Sequence, residues 1–169
     1  MRKLSSKGQR WLKCFHVFFV CCWVGAAVIL TIMNFSMKAS EGMQLYGIHV
    51  SMKFIDDFII IPGAFGCLLT GLLYSVFTKW GWFKHRWVMV KWIINIFGIV
   101  FGTFWLGPWL NSLPPIAEAE GLNALSNPVY IHSRTMLYYW GTFQVATLIF
   151  AIFISTLKPW GKRKTKTNT

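Results

Sequence analysis

Four long apolar runs alternate with short polar stretches along the chain. The first runs from Cys14 to Met37 without a charged residue. The second covers Phe54 to Phe77, with Asp56 and Asp57 at its start and Pro62 a turn later. The third covers Trp87 to Leu110 and holds one charge, Lys91. The fourth covers Thr135 to Leu157. A helix crosses the hydrocarbon core with about 20 apolar residues, so each run is long enough to span a bilayer. The pattern predicts an all-α protein, a four-helix transmembrane bundle of up-down-up-down order. Residues 1–157 form one membrane domain and 158–169 a basic tail. Between the third and fourth spans, Asn111 to Ile131 reads as a loop, rich in proline and polar residues. Its centre, Ile116 to Leu125, is expected to form a short helix lying on the membrane surface.

Charge placement orients these spans. Arg2, Lys3, Lys7, Arg10 and Lys13 precede the first. Lys79, Lys84 and Arg86 join the second to the third. Lys158, Lys162, Arg163, Lys164 and Lys166 follow the fourth. The opposite side carries Lys38, Lys53 and Arg134 together with every acidic residue: Glu41, Asp56, Asp57, Glu118 and Glu120. Both termini are therefore expected in the cytoplasm, with the tail against anionic lipid. The first run has a basic start, but its apolar core is too long for a cleaved signal peptide and no clean cleavage site follows. It reads as a retained span.

Composition agrees. Hydrophobic residues make up 55% and charged residues 13%, against about 25% charged in an average soluble domain. The net charge of +12 sits in clusters between apolar runs, which suits lipid headgroups and not a nucleic-acid duplex, for which no motif is present. The expected partner is the bilayer, with a homo-oligomer as a further option.

Helical spacing selects the residues that face inward. In the third span Lys91, Asn95, Gly98, Gly102, Trp105 and Trp109 share a stripe. The corresponding seams are His16, Trp23, Ala27, Leu30 and Asn34 in the first span, and Gly63, Gly66, Cys67, Thr70 and Tyr74 in the second. In the fourth the seam is Thr135, Tyr139, Thr142 and Ala146. Small and polar seams allow close packing, and would also suit a flat cofactor held between helices. His16 and Lys91 lie at similar depth near the terminal side, so they could meet. A neutral imidazole ligates iron, and a deprotonated lysine can do the same. Each also has a plainer role: a hydrogen bond for His16, and a reach to the headgroups for Lys91.

At the other side His49, Asp56, Asp57, His132 and Arg134 gather. Asp56 and Asp57 are expected to open a helix, favoured by its dipole and by Lys53. The alternative is a metal site with His49, His132 and Asp56 as ligands. His85 falls in a basic turn and suits the membrane interface. Cys14, Cys21, Cys22 and Cys67 all lie in apolar runs and read as buried small hydrophobes, or, with nearby Met, as copper ligands.

The stretch Phe15-His16-Val17, followed by Trp23-Val24-Gly25, resembles the first-helix signature of small bacterial four-helix integral membrane proteins of DUF type. That group is related to CopD-like copper-resistance proteins and HemJ-type protoporphyrinogen oxidases. Ile61-Pro62-Gly63, Thr70-Gly71-Leu72 and Trp87-Val88-Met89-Val90-Lys91 are similar in order and spacing to the second- and third-helix pattern. The likeness covers about the first two-thirds of the chain. It implies bound haem b, with a first-helix histidine and a third-helix lysine falling on His16 and Lys91. The HemJ-type Pro-Arg-Leu segment and its following histidine have no counterpart near Thr31 to Phe35. The histidine after the third-helix lysine is absent too.

These observations lead to a haem-binding protein of the bacterial inner membrane, engaged in haem handling or membrane redox chemistry. His16 and Lys91 are its expected iron ligands, with Asn95, Trp23, Tyr74 and Tyr139 lining the cofactor. Lys91 could serve instead as a propionate partner. A porphyrin or quinone oxidoreductase using the same pocket, and a copper transport or tolerance protein, are the alternatives.

Overall fold

The computed structural model describes residues 4–78 and 86–158. Lys79, Lys84, His85 and the basic tail from residue 159 lie outside the described residues. All regular structure among the described residues is helical. Four helices are long and apolar enough to cross a membrane: α1 (Ser6–Ser36), α2 (Gly42–Phe77), α3 (Arg86–Ser126) and α4 (Pro128–Leu157). The helix α1 starts well before the apolar run, because the Ser5 side chain caps it by accepting from the Gly8 amide at 3.2 Å.

Neighbours in sequence pack antiparallel. The Leu4 amide donates to the Phe77 carbonyl at 3.1 Å, tying the start of α1 to the end of α2. Gly42 lies against Gly121, so the start of α2 meets the end of α3. Lys91 bonds Ser155, and Ser112 bonds Ser133, so α3 runs antiparallel to α4. The molecule thus has a terminal end, where Leu4, Phe77 and Leu157 lie, and a far end, where the chain turns at residues 37–41 and 121–127.

Three of the four helices contain a π-helical turn: Asp56–Ile60, Gly102–Leu106 and Leu137–Gly141. Two have a plain cause. Pro62 has no amide hydrogen for the Phe58 carbonyl, and its ring would press on that carbonyl in a regular helix. Widening the turn just before the proline relieves the clash. Pro108 stands in the same relation to Phe104. In α4 no proline follows. Instead the Thr142 hydroxyl donates to the Tyr138 carbonyl at 2.6 Å, a side-chain bond that competes with the backbone ladder.

Each π turn adds about one residue, which rotates the following side chains by about 100°. This bears on the expected seam of α3, and the seam of α4 differs as well. In α3, Gly98 is buried and Lys91, Asn95 and Gly102 are half-buried, but Trp105 within the π turn is exposed. The buried row resumes at Leu110, Leu113 and Ala117. In α4, Thr135, Tyr139, Thr142 and Ala146 are all exposed; the inward residues are Tyr130, Ser133, Gln144, Leu148 and Ile154. The seams of α1 and α2 are largely as expected, with Trp23, Asn34, Gly63, Cys67 and Thr70 buried.

The far end differs from expectation as well. Residues 111–120 are not a loop: α3 continues through Pro114 and Pro115 to Glu120 and ends in a 3-10 turn, Gly121–Ser126. No separate surface helix forms over Ile116 to Leu125. Asp56 and Asp57 do not open a helix either, because α2 begins at Gly42. They fall mid-helix, where the dipole argument loses its force, although Lys53 does pair with Asp57 at 2.7 Å. Gly121 is required where it stands. Its φ of +58° is poorly tolerated by other residues, and a Cβ on Gly42 would come within 2.7 Å of its Cα.

Phe15, Phe65, Leu69, Ile93, Phe104 and Phe153 are among the large apolar side chains turned outward. Gly, Thr, Asn and Gln line much of the interior. Such an arrangement would be unstable in water and is natural in lipid, where close helix contact and interhelical hydrogen bonds hold the bundle.

Candidate functional site

The small-residue seams are filled by the chain's own aromatic side chains. Trp23 is 2% exposed. A Cβ on Gly98 would lie 3.2 Å from its indole, and one on Gly63 would lie 2.9 Å from its backbone nitrogen. Gly66 faces the Phe19 ring in the same way. The glycines therefore admit Trp23 and Phe19 between the helices, and a flat cofactor is not accommodated in that slot.

On the terminal side of Trp23 the structure collects a polar constellation from all four helices. His16 Nδ1 lies 2.8 Å from the Thr70 hydroxyl. That hydroxyl donates to the Gly66 carbonyl at 2.6 Å. A hydroxyl has one hydrogen, so Thr70 must accept from His16, and the imidazole proton sits on Nδ1. The lone pair is then on Nε2. His16 is half-buried, and its Cε1 lies 3.6 Å from the position of a Cβ on Gly71, at the edge where α1 meets α2. An imidazole with one nitrogen oriented by a hydrogen bond and the other bearing its lone pair is the usual form of a metal-ligating histidine.

Asn95 Nδ2 donates to Cys67 Sγ at 3.4 Å, joining α3 to α2. Its Oδ1 is buried with no partner among the described residues. Lys91 Nζ donates to the Ser155 hydroxyl at 3.1 Å and lies 6.0 Å from the Trp87 ring. It is within electrostatic reach of both His16 and Cys67. His16 and Lys91 thus belong to one neighbourhood, as their depths suggested, but each has its own hydroxyl partner. Cys67, Asn95 and Trp23 help to fill the bundle at this level.

Of the other expected residues, Tyr74 is half-buried on α2 near the terminal end. Tyr139 is 64% exposed and lies beside Asn34 and Phe35. Asn34 stands 18 residues beyond His16 on α1, about 27 Å at 1.5 Å per residue, so Tyr139 cannot line the same site. At the far end His49 Nε2 bonds the Tyr130 hydroxyl at 2.7 Å. His132 is exposed against Trp109. The two histidines face different surroundings, and Asp56 does not join them. Among the described residues no three His, Cys, Asp or Glu side chains come together to hold a metal ion. Cys21 is exposed and Cys22 half-buried, and consecutive positions on a helix diverge by about 100°. Neither His49 with His132 and Asp56 nor the cysteines therefore form a cluster of three such ligands among the described residues.

Sequence reasoning missed Ser155, Gln144 and Tyr130. Gln144 Nε2 donates to the Gly98 carbonyl at 3.3 Å across the α3–α4 contact. An amide inside an apolar span was the available signal, because a polar group in lipid must find a partner.

The fold and the outward apolar surface define an all-helical integral membrane protein with four spans. The chain is similar to the cytochrome c-type biogenesis protein CcmF of Haemophilus influenzae, at 25% identity over 128 residues. The match covers 72% of this chain but 19% of that protein, so the chain spans about a fifth of the length of the curated relative it matches. No family model and no solved structure matches the chain.

Proposed function

We propose that the protein handles haem in the bacterial inner membrane, with both termini in the cytoplasm. His16 is the residue that would hold the haem iron. The observation that carries this reading is the His16–Thr70 hydrogen bond, which fixes the imidazole so that Nε2 presents its lone pair at the α1–α2 edge. The similarity to a cytochrome c-type biogenesis protein supports it, since c-type cytochromes are haem proteins. The Lys and Arg distribution supports the orientation.

With Trp23 and Phe19 filling the interior, the residues that would hold haem b are those at the half-buried edge around His16 and Gly71 and not those between all four helices. Lys91 is held as a hydrogen-bond donor by Ser155. That suits a cation facing a propionate better than a second iron ligand. The unpartnered Asn95 Oδ1 leaves an acceptor for a donor brought by the bound molecule or by water. Haem would supply an iron centre open to electron transfer or to hand-over. The chain's own residues bind it, set its orientation through Thr70, and balance its charge.

Protein purified in detergent from haem-replete cells, or mixed with haemin, is expected to show a Soret band that weakens strongly in His16→Ala. Colourless protein that takes up no haemin would overturn the proposal.

A further inference from the structure

A second built site lies at the far end, between α1 and α4. A cleft of about 400 Å³ opens there, lined by Asn34, Phe35, Tyr130, Arg134, Thr135 and Tyr138 among others. Its floor is polar. Tyr130 is 1% exposed and His49 3%. The Arg134 guanidinium stands beside the Tyr130 hydroxyl. A guanidinium only donates, so the phenol hydrogen turns to His49 Nε2, 2.7 Å away, and the His49 proton sits on Nδ1.

Two buried polar atoms here have no partner among the described residues: His49 Nδ1 and Asn34 Oδ1, the latter on a side chain that is 8% exposed. Both residues, with Tyr130 and Arg134, line a void of about 10 Å³, the size of one water. A water there would link donor and acceptor to the floor of the cleft. Arg134 has no carboxylate within 4 Å, since Lys53–Asp57 is the one ion pair among the described residues. A cation without a counter-charge therefore faces an open cleft.

The walls are apolar. Phe35 and Tyr138 pack with ring centroids 4.1 Å apart and planes tilted by 32°. Ile131 and Tyr139 continue that surface outward and are exposed. Tyr138, Tyr139 and Trp140 on α4, with Trp105 on α3, are all exposed around this level, as in the aromatic belt that marks the membrane interface.

We propose that this cleft binds the phosphate of an anionic membrane lipid, with Arg134, Tyr130 and Asn34 as its polar contacts and His49 ordering Tyr130 from behind. The aromatic wall of Phe35 and Tyr138 flanks the glycerol and upper acyl chain. The volume suits a headgroup, and the apolar mouth selects a ligand with a tail over free phosphate. The absence of a lining carboxylate selects net negative charge over a zwitterion. The site stands apart from His16 and does not depend on the haem reading.

Native mass spectrometry in detergent, with thermal melting, tests this with phosphatidylglycerol, phosphatidylcholine and inorganic phosphate as probes. Phosphatidylglycerol should be retained about tenfold or more over phosphatidylcholine, and inorganic phosphate at equal concentration should not displace it. Arg134→Gln should lower that retention by about tenfold. Thr135→Glu, which places a negative charge at an exposed position of the mouth, should do the same without disturbing the fold. Equal retention of the two lipids would overturn the proposal. So would unchanged phosphatidylglycerol binding in Thr135→Glu, or displacement by inorganic phosphate.

Discussion

The two halves of this bundle are built on different terms. At the far end Leu45, Met52, Leu110, Leu113, Ala117, Ala124 and Tyr130 form one apolar cluster, and Leu113 is fully buried. At the terminal end the core is divided into two clusters, Trp23, Ala64, Cys67 and Leu148 in one and Trp87, Val88 and Ile154 in the other, with a polar constellation beside them. The helices α2 and α3 have 36 and 41 residues, longer than the roughly 20 needed to cross the hydrocarbon core. Their surplus lies at the far end, where apolar burial against water adds to packing. Within the bilayer only packing and hydrogen bonds hold the helices. The comparison teaches that stability and chemistry are separated along the bundle axis. The far end is anchored by one continuous apolar cluster, and the terminal end divides its core, leaving room beside it for a half-buried histidine and lysine.

Substitutions at each end sharpen that contrast. Leu113→Ala should have the largest effect on stability. It removes a side chain with no exposure, and about 2–5 kcal/mol is typical for such a cavity. Thermal melting in detergent should fall clearly while any haem spectrum of the remaining folded protein stays unchanged. Tyr130→Phe should cost less, about 1–3 kcal/mol, because it strips His49 of a buried partner. Its effect too should appear in melting and not in haem uptake. Thr70→Val should invert the pattern. Melting should shift by about 1 kcal/mol or less, since the hydroxyl's main bond is to its own helix. Haem affinity should drop about tenfold or more, as expected when the group orienting a ligating histidine is lost. A large stability loss in Thr70→Val, with unchanged haem uptake, would break the division between the two ends.

Much of this was legible in the residues. Four uninterrupted apolar runs can do little else than span a bilayer, and the α1 and α2 seams follow ordinary helical spacing past Trp23 and Cys67. The shared depth of His16 and Lys91 followed from counting residues. What could not be read was the effect of the π turns. One extra residue at Gly102–Leu106 turned Trp105 outward, and the α4 stripe was set on the wrong face from Thr135 onward, ahead of the π turn in that helix. Pro108 offered a hint of the first, while the Thr142 bond to Tyr138 left no pattern in the sequence. The glycines of α2 and α3 were ambiguous for another reason. Small residues are equally compatible with a cofactor slot and with close packing, and only the position of Trp23 decides between them. The polar far-end loop was misread because Pro114 and Pro115 can sit in a helix whose freed carbonyls find other partners.

The ligand role of His16 is tested most directly by removing its ring and supplying it again from solution. Protein carrying His16→Gly, purified in detergent and mixed with haemin, should show little Soret absorbance. Added free imidazole should restore a Soret band close to that of the unaltered protein. A spectrum that is the same with and without the His16 ring, and indifferent to imidazole, would contradict the account.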